Sequence, residues 1–513
     1  MPLPADRPSR EQSASAPAHR LLGPSSRHPS PHPSPHSSPH SPRHASRPLQ
    51  RPASRLRTAA ALLTLSLAAL GAAHADTVIP APAGAPANAS PVPLAPYGTV
   101  EQEFFLSGTA TTYSRVGAWA KDGRWAAARG AEQPYQTRLL VRRPADPARF
   151  NGTVVVEWFN VSSGFDIEVE AGYMLEELLE QGYAWVGVSA QRVGVNGLKE
   201  QQAARYAGLS IASDDLSYGI YTDAARAVRE QAATLLPGLA VRRLIGAGQS
   251  QSSIRLVTYA NAVQPLERAF DALIIHGRGP SGAPIASGSS GPSVAHIRTD
   301  QPTPVLQIQT EFEMSNFLGR SARQPDSATV RNWEIAGASH IDAHLIRLID
   351  AVSARDLGFA AIDCVQPVND FPLHRATKAA RRAVNRWVTD GTPPPAGTPL
   401  AYDALGFLRR DATGNVLGGV RLPEIDAPVA NYGSSNIGDP TKGPGLLNTL
   451  ACALSGTSKP LTAAQLRKLY ASKADYVARI RAAAQRAVQA GFLVPGDDAR
   501  TVQEAQARAL PLP

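Results

Sequence analysis

The 513-residue chain carries a formal charge of +9, but its first 75 residues hold nine arginines against only Asp6 and Glu11, and beyond them 42 basic residues face 40 acidic ones. That balance excludes the clustered basic face of a nucleic-acid binder. With 43% hydrophobic residues, and no run beyond residue 75 apolar for long enough to span a bilayer, the composition is that of a soluble protein with a large core.

Residues 1–50 include SRHPSPHPSPHSSPHSPRH, where His28, His32, His36, His40 and His44 recur among Pro and Ser. Such a segment cannot bury enough apolar surface to fold and reads as a disordered tail. Metal binding by the histidines is the lesser alternative, and a translation start set too far upstream accounts for the tract at least as well. Residues 51–75 follow as a secretory signal peptide, with Arg55 and Arg57 ahead of an apolar run from Ala59 to Leu70 and an Ala73-His74-Ala75 cleavage site. The mature chain is therefore expected to begin at Asp76, in the periplasm or outside the cell. There its two cysteines, Cys364 and Cys452, are able to pair.

Residues 76–96 are rich in Ala and Pro and read as a linker, followed by a core over 97–350. Eight strands are predicted: 103–108, 137–143, 153–159, 184–190, 243–248, 272–277, 304–310 and 332–337. Helical patterns lie between them, as in Tyr173 to Gln181, Tyr221 to Leu235 and the segment after Ser250. Val-, Ile- and Leu-rich strands separated by helices predict a mostly parallel sheet covered by helices on both faces. Only a loop separates the first two strands, which predicts an antiparallel start. Residues 351–513 are mainly helical and are expected to pack on the core as an extension. One helix there, SKADYVARIRAAAQRAVQAGF, spaces Tyr476, Ile480, Ala483, Ala487 and Ala490 as a packing face.

The fifth strand runs into IGAGQSQSSIRL. A dinucleotide loop would need a third glycine where Gln251 stands, and a phosphate-binding loop would need Gly-Lys-Ser/Thr. A nucleophile elbow needs a serine on a sharp strand-to-helix turn with small residues two positions either side. Gly248-Gln249-Ser250-Gln251-Ser252 fits with Ser250 central, and a polar turn without chemistry is the bland alternative. Ser252 is a poorer nucleophile candidate because Ile254 is too large for its flank.

A serine hydroxyl needs a base to take its proton and an acid to orient that base. His340, in WEIAGASHID beyond the last strand, is the predicted base, whereas His276 at the end of the sixth strand reads as structural. A metal cluster of His340, Asp342 and His344 lacks a supporting ligand motif. The acid follows the seventh strand as Glu313 or Glu311, with Glu313 slightly favoured. Oxyanion donors are expected from the N–H of Gln251 and from Asn160 or Val161, in the loop after the third strand.

The stretches FNGTVVVEWFNVSSGFD, DDLSYGIYTDAARAVR, GQSQSS, QTEFE, RNWEIAGASHID, RWVTDGTPPP and ADYVARIRAAAQRAVQAGF resemble the alpha/beta-hydrolase-domain family of the Abhydrolase_10 type over nearly all the mature chain. The resemblance implies an α/β-hydrolase fold that includes the C-terminal helical part, with Ser250 in the S-Q-S elbow and His340 in the A-G-x-x-H segment. It also places Glu313 where an Asp is expected in many relatives, which keeps Glu311 in play. The expected activity is hydrolysis of a small-molecule or polymeric carboxylic ester through an acyl-enzyme, without metal or organic cofactor. The alternatives are amide hydrolysis or acyl transfer by the same residues, and a non-catalytic surface-binding protein that keeps the fold.

Overall fold

The computed structural model describes residues 76–358, 362–442 and 446–513, so the expected tail and signal peptide lie outside the described residues. Nine strands form one sheet: β1 (Thr77–Pro80), β2 (Thr99–Val116), β3 (Ala126–Pro144), β4 (Thr153–Trp158), β5 (Ala184–Val188), β6 (Arg243–Gln249), β7 (Ala272–His276), β8 (Val305–Thr310) and β9 (Val330–Ile335). They lie in the order β1-β2-β3-β5-β4-β6-β7-β8-β9. Strands β4 to β9 are parallel, and β1, β2 and β3 add an antiparallel flank.

All eight expected strands are present, and the ninth, β1, comes from the segment expected to be a linker. Its backbone pairs with β2, from Thr77 opposite Ser107 to Pro80 opposite Phe104. Pairing of this kind needs backbone groups and no apolar alternation, so composition hid it. Residues further along the same segment are also fixed, because the Ala87 N–H donates to the Tyr206 hydroxyl at 2.9 Å and the Asn88 amide donates to the Asp166 carbonyl at 2.9 Å.

The parallel strands are buried throughout, and alternate residues enter two different cores. In β4, Val154 and Val156 face one side and Val155 the other; in β7, Leu273 and Ile275 oppose Ala272 and Ile274. The first face is covered by α2 (Ser217–Glu230) and α3 (Gln251–Thr258). The second is covered by α1 (Val169–Tyr173) and α6 (Leu373–Asp390), while α4 (Glu311–Ser315) and α5 (Ala343–Asp356) follow β8 and β9. The second core draws residues from both 97–350 and 351–513, among them Ile335, Phe371, Ala380 and Ala487.

Helix α7 (Lys473–Gln489) packs against α8 (Asp497–Ala507). Tyr476, Ile480, Ala483 and Ala487 are buried as the spacing predicts, but Ala490 is exposed because the helix has reached its C-cap there. Cys364 and Cys452 form a disulfide across 88 residues of sequence, tying the segment after α5 to the helix Leu446–Ser455. Among the described residues no helix is long and apolar enough to cross a membrane.

Candidate active site

The site lies at the carboxyl ends of the parallel strands, where loops leave the sheet and functional groups of this architecture collect. Ser250 ends β6 and starts α3 with φ 59° and ψ −118°, a left-handed conformation rare for a residue with a Cβ. The turn is tight enough that a Cβ on Gly248 would lie 3.1 Å from Ser252 Oγ and from Leu256 Cδ1. Ser252 fits as the second small flank because its hydroxyl donates to the Gln249 carbonyl at 2.9 Å. Thus Ser252 is buried and engaged, and Ser250 alone projects from the turn. The Ser250 N–H is fixed by the carbonyl of His276 at 2.9 Å.

Three chain segments converge on this hydroxyl. His340, in the loop between β9 and α5, places Nε2 2.8 Å from Ser250 Oγ. Its Nδ1 is hydrogen-bonded to Glu313 Oε1, on the short helix after β8. Burial alone would raise the Glu313 carboxyl, but the hydrogen bond and charge of His340, with the Thr310 N–H, outweigh it and hold the carboxyl below its ordinary value. A hydroxyl, an imidazole and a buried carboxylate in this order form an array that can remove the hydroxyl proton and store it on the ring.

The residue match to known proteins bears on the same region. A model of Abhydrolase_10, described as an alpha/beta hydrolase domain, matches residues 71–503. The chain belongs to the alpha/beta hydrolase domain family. Among solved structures, an esterase from Rhizomucor miehei is similar at 13% identity over 47% of this chain and 75% of that one, with a TM-score of 0.25. Esterase 2 from Thermogutta terrifontis is similar at 15% identity over 39% and 78%, with a TM-score of 0.24. No curated protein matches.

Of the two glutamates, this alpha/beta hydrolase domain brings only Glu313 to His340. Glu311 is buried and otherwise engaged, accepting from the Gly337 N–H at 2.7 Å and from Arg410 at 2.9 Å. Its role in the geometry is to hold the His340 loop to the C-terminal region. Burial raises its carboxyl, against the pull of Arg410.

The oxyanion candidates also separate. The Gln251 N–H stands at the first position of α3, where no carbonyl of the helix reaches it. Asn160 does not offer its N–H, which donates to the Ile167 carbonyl at 3.2 Å; its side chain instead bonds the Gln249 carbonyl and the Ser162 N–H. The Val161 N–H has only a 3.5 Å contact with the Gln251 side chain, leaving it as the better second donor. His344 does not join His340 in a metal set: it stacks on His374 at 4.2 Å, and among the described residues no cluster of His, Cys, Asp and Glu could hold a metal ion.

Several neighbours carried no sequence signal. The Gln249 amide nitrogen lies 3.2 Å from both His340 Nε2 and the His340 carbonyl. Phe312 and Phe317 flank the imidazole with ring centroids 5.6 and 5.5 Å away, and Phe317 is 37% exposed. His276 is buried with Nδ1 2.8 Å from Glu170, whose other oxygen meets Arg381 of α6 at 3.2 Å. Residue types alone do not reveal such contacts, because each joins segments far apart in sequence.

Proposed function

We propose that this alpha/beta hydrolase is an exported serine hydrolase that cleaves carboxylic esters through an acyl-enzyme. The hydrogen-bonded line from Ser250 through His340 to Glu313 carries this proposal. Ser250 Oγ attacks the ester carbonyl as its proton passes to His340 Nε2, and Glu313 stabilises the resulting imidazolium. The carbonyl oxygen, now anionic, accepts from the N–H groups of Gln251 and Val161. His340 then protonates the departing alcohol, and the same ring activates the water that frees the acid and restores Ser250.

The partly exposed Phe317 ring beside His340 favours substrates with an apolar group next to the scissile bond. A panel of p-nitrophenyl esters, the matching anilides and alcohol acceptors tests the reaction class. Ester hydrolysis is expected to dominate; anilide cleavage or acyl transfer at equal efficiency would replace the ester assignment. Export is supported by the Cys364–Cys452 disulfide, which suits an oxidising compartment. The exported protein is expected to have the intact mass of a chain starting at Asp76 with both cysteines oxidised, and an uncleaved mass would count against export.

A further inference from the structure

Arg278 follows β7 and is 1% exposed, yet no carboxylate neutralises it among the described residues. Its Nε donates to Gln307 Oε1 at 2.6 Å, and Nη1 donates to the carbonyls of Ala295, Gly279 and Pro280 at 3.0, 3.2 and 3.4 Å. Those acceptors are neutral, and the second terminal nitrogen, Nη2, has no acceptor among the described residues. Burial lowers the guanidinium to about 10, with no opposing carboxylate to restore it. Buried charges are ordinarily paired, so an isolated one calls for a partner that is not part of the chain.

Arg278 lines a cavity together with Gln307, Gln309, Arg323, Gln324 and Asn332. Its amide oxygens are already used. Gln307 Oε1 takes Arg278 Nε, Gln309 Oε1 takes the Arg278 N–H, Gln324 Oε1 takes the Ile297 N–H, and Asn332 Oδ1 takes the Gln307 amide. The one carboxylate of the lining, Glu334, is held by Arg323 and by the Leu400 N–H. Each glutamine amide has given one N–H, Gln307 to Asn332, Gln309 to the Arg278 carbonyl and Gln324 to the Ile297 carbonyl, and Asn332 has given both, so the lining retains one N–H on each glutamine and one unmatched positive charge. The cavity, of about 30 Å³, suits one or two waters or a single halide.

We propose that this cavity binds one monovalent inorganic anion of chloride size, held by Nη2 of Arg278 and the surrounding amide donors. The anion sits beside the proposed site without belonging to it. Gln309 clamps Arg278 in both directions, donating to its carbonyl at 2.9 Å and accepting from its N–H at 2.9 Å. The next residue, Thr310, caps the helix that carries Glu313. Occupancy consequently stabilises the segment from β8 to α4.

The test needs no substrate and so stands apart from the proposed hydrolase activity. Thermal unfolding of the full protein is measured in sodium gluconate and in sodium chloride or bromide at constant ionic strength, and crystals are soaked in bromide. The expected result is a saturable rise in Tm of several degrees with either halide, with a bromine anomalous peak at hydrogen-bonding distance from Arg278 Nη2. Arg278→Met is expected to lose the halide-dependent rise; if it fails to fold, the two measurements on the unaltered protein decide. No bromine peak in the cavity overturns the proposal whatever the Tm does. A peak there with no halide dependence of Tm marks an adventitious ion only and also overturns it.

Discussion

Ser250→Ala is expected to remove about 10⁴-fold or more of kcat/KM on p-nitrophenyl esters and to abolish labelling by a fluorophosphonate probe, while the protein stays folded. The loss is large because, among the described residues, Ser250 Oγ is the only hydroxyl bonded to His340 Nε2, and neither the buried Ser252 nor Ser253 can replace it: their hydroxyls donate to the carbonyls of Gln249 and Ser250. The fold should persist because the imidazole keeps Glu313 on one side and the Gln249 amide on the other. Alanine bears the same positive φ cost as serine, roughly 1–3 kcal/mol, so the turn gains no new strain. Ser250→Gly should relieve that cost and raise Tm while being just as inactive. If Ser250→Ala retained full activity, the proposed mechanism would be wrong.

That Ser250 and His340 meet was legible because elbow chemistry has a local signature and the chain holds few histidines beyond residue 75. The sheet was legible for a similar reason: a strand buried on both faces must be apolar along its whole length, as in Val154-Val155-Val156. The antiparallel flank obeys a different rule. Strands β2 and β3 run for 18 and 19 residues, well beyond the apolar stretches expected, because their far halves form a partly exposed ribbon. There Ala110 pairs with Gln133 and Thr111 with Glu132 through the backbone, Thr112 sits in a bulge with its hydroxyl donating to the Ala131 carbonyl at 2.8 Å, and polar residues serve as well as apolar ones.

The C-terminal region shows a second limit. Arg381 and Arg410 come from 351–513 and end against Glu170 and Glu311, within or beside the candidate site. Neither partner is recoverable from spacing, because the ion pairs join residues 211 and 99 positions apart. The burial of Arg381 against Glu170, and of Glu311 beneath Arg410, argues that this region is part of the hydrolase unit. A carboxylate as buried as Glu311 depends on its cation, although Arg410 itself keeps part of its surface in water.

The same ambiguity that left two glutamates open in the sequence separates into two distinct expected results. Glu313→Gln should lower kcat by roughly 10³–10⁴-fold with little change in KM, the scale set by removing the acid from such an array. The direction follows from the hydrogen bonds: Glu313 Oε2 accepts from the Thr310 N–H, while Oε1 meets His340 Nδ1. In the variant the remaining carbonyl oxygen stays on the Thr310 N–H, and the new amide NH₂ faces Nδ1. Two donors cannot share that hydrogen bond, so the ring moves its proton to Nε2, where it blocks acceptance from Ser250. Glu311→Gln retains an oxygen for the Gly337 N–H and loses only the charge opposite Arg410, which is 35% exposed and regains water. It should therefore lower Tm by a few degrees and keep kcat within about 10-fold of the unaltered protein. Parallel kinetics and thermal melts on the two variants check this division. A Glu311→Gln protein that melted normally but lost its turnover, beside an active Glu313→Gln, would transfer the orienting role to Glu311 despite its distance from the imidazole.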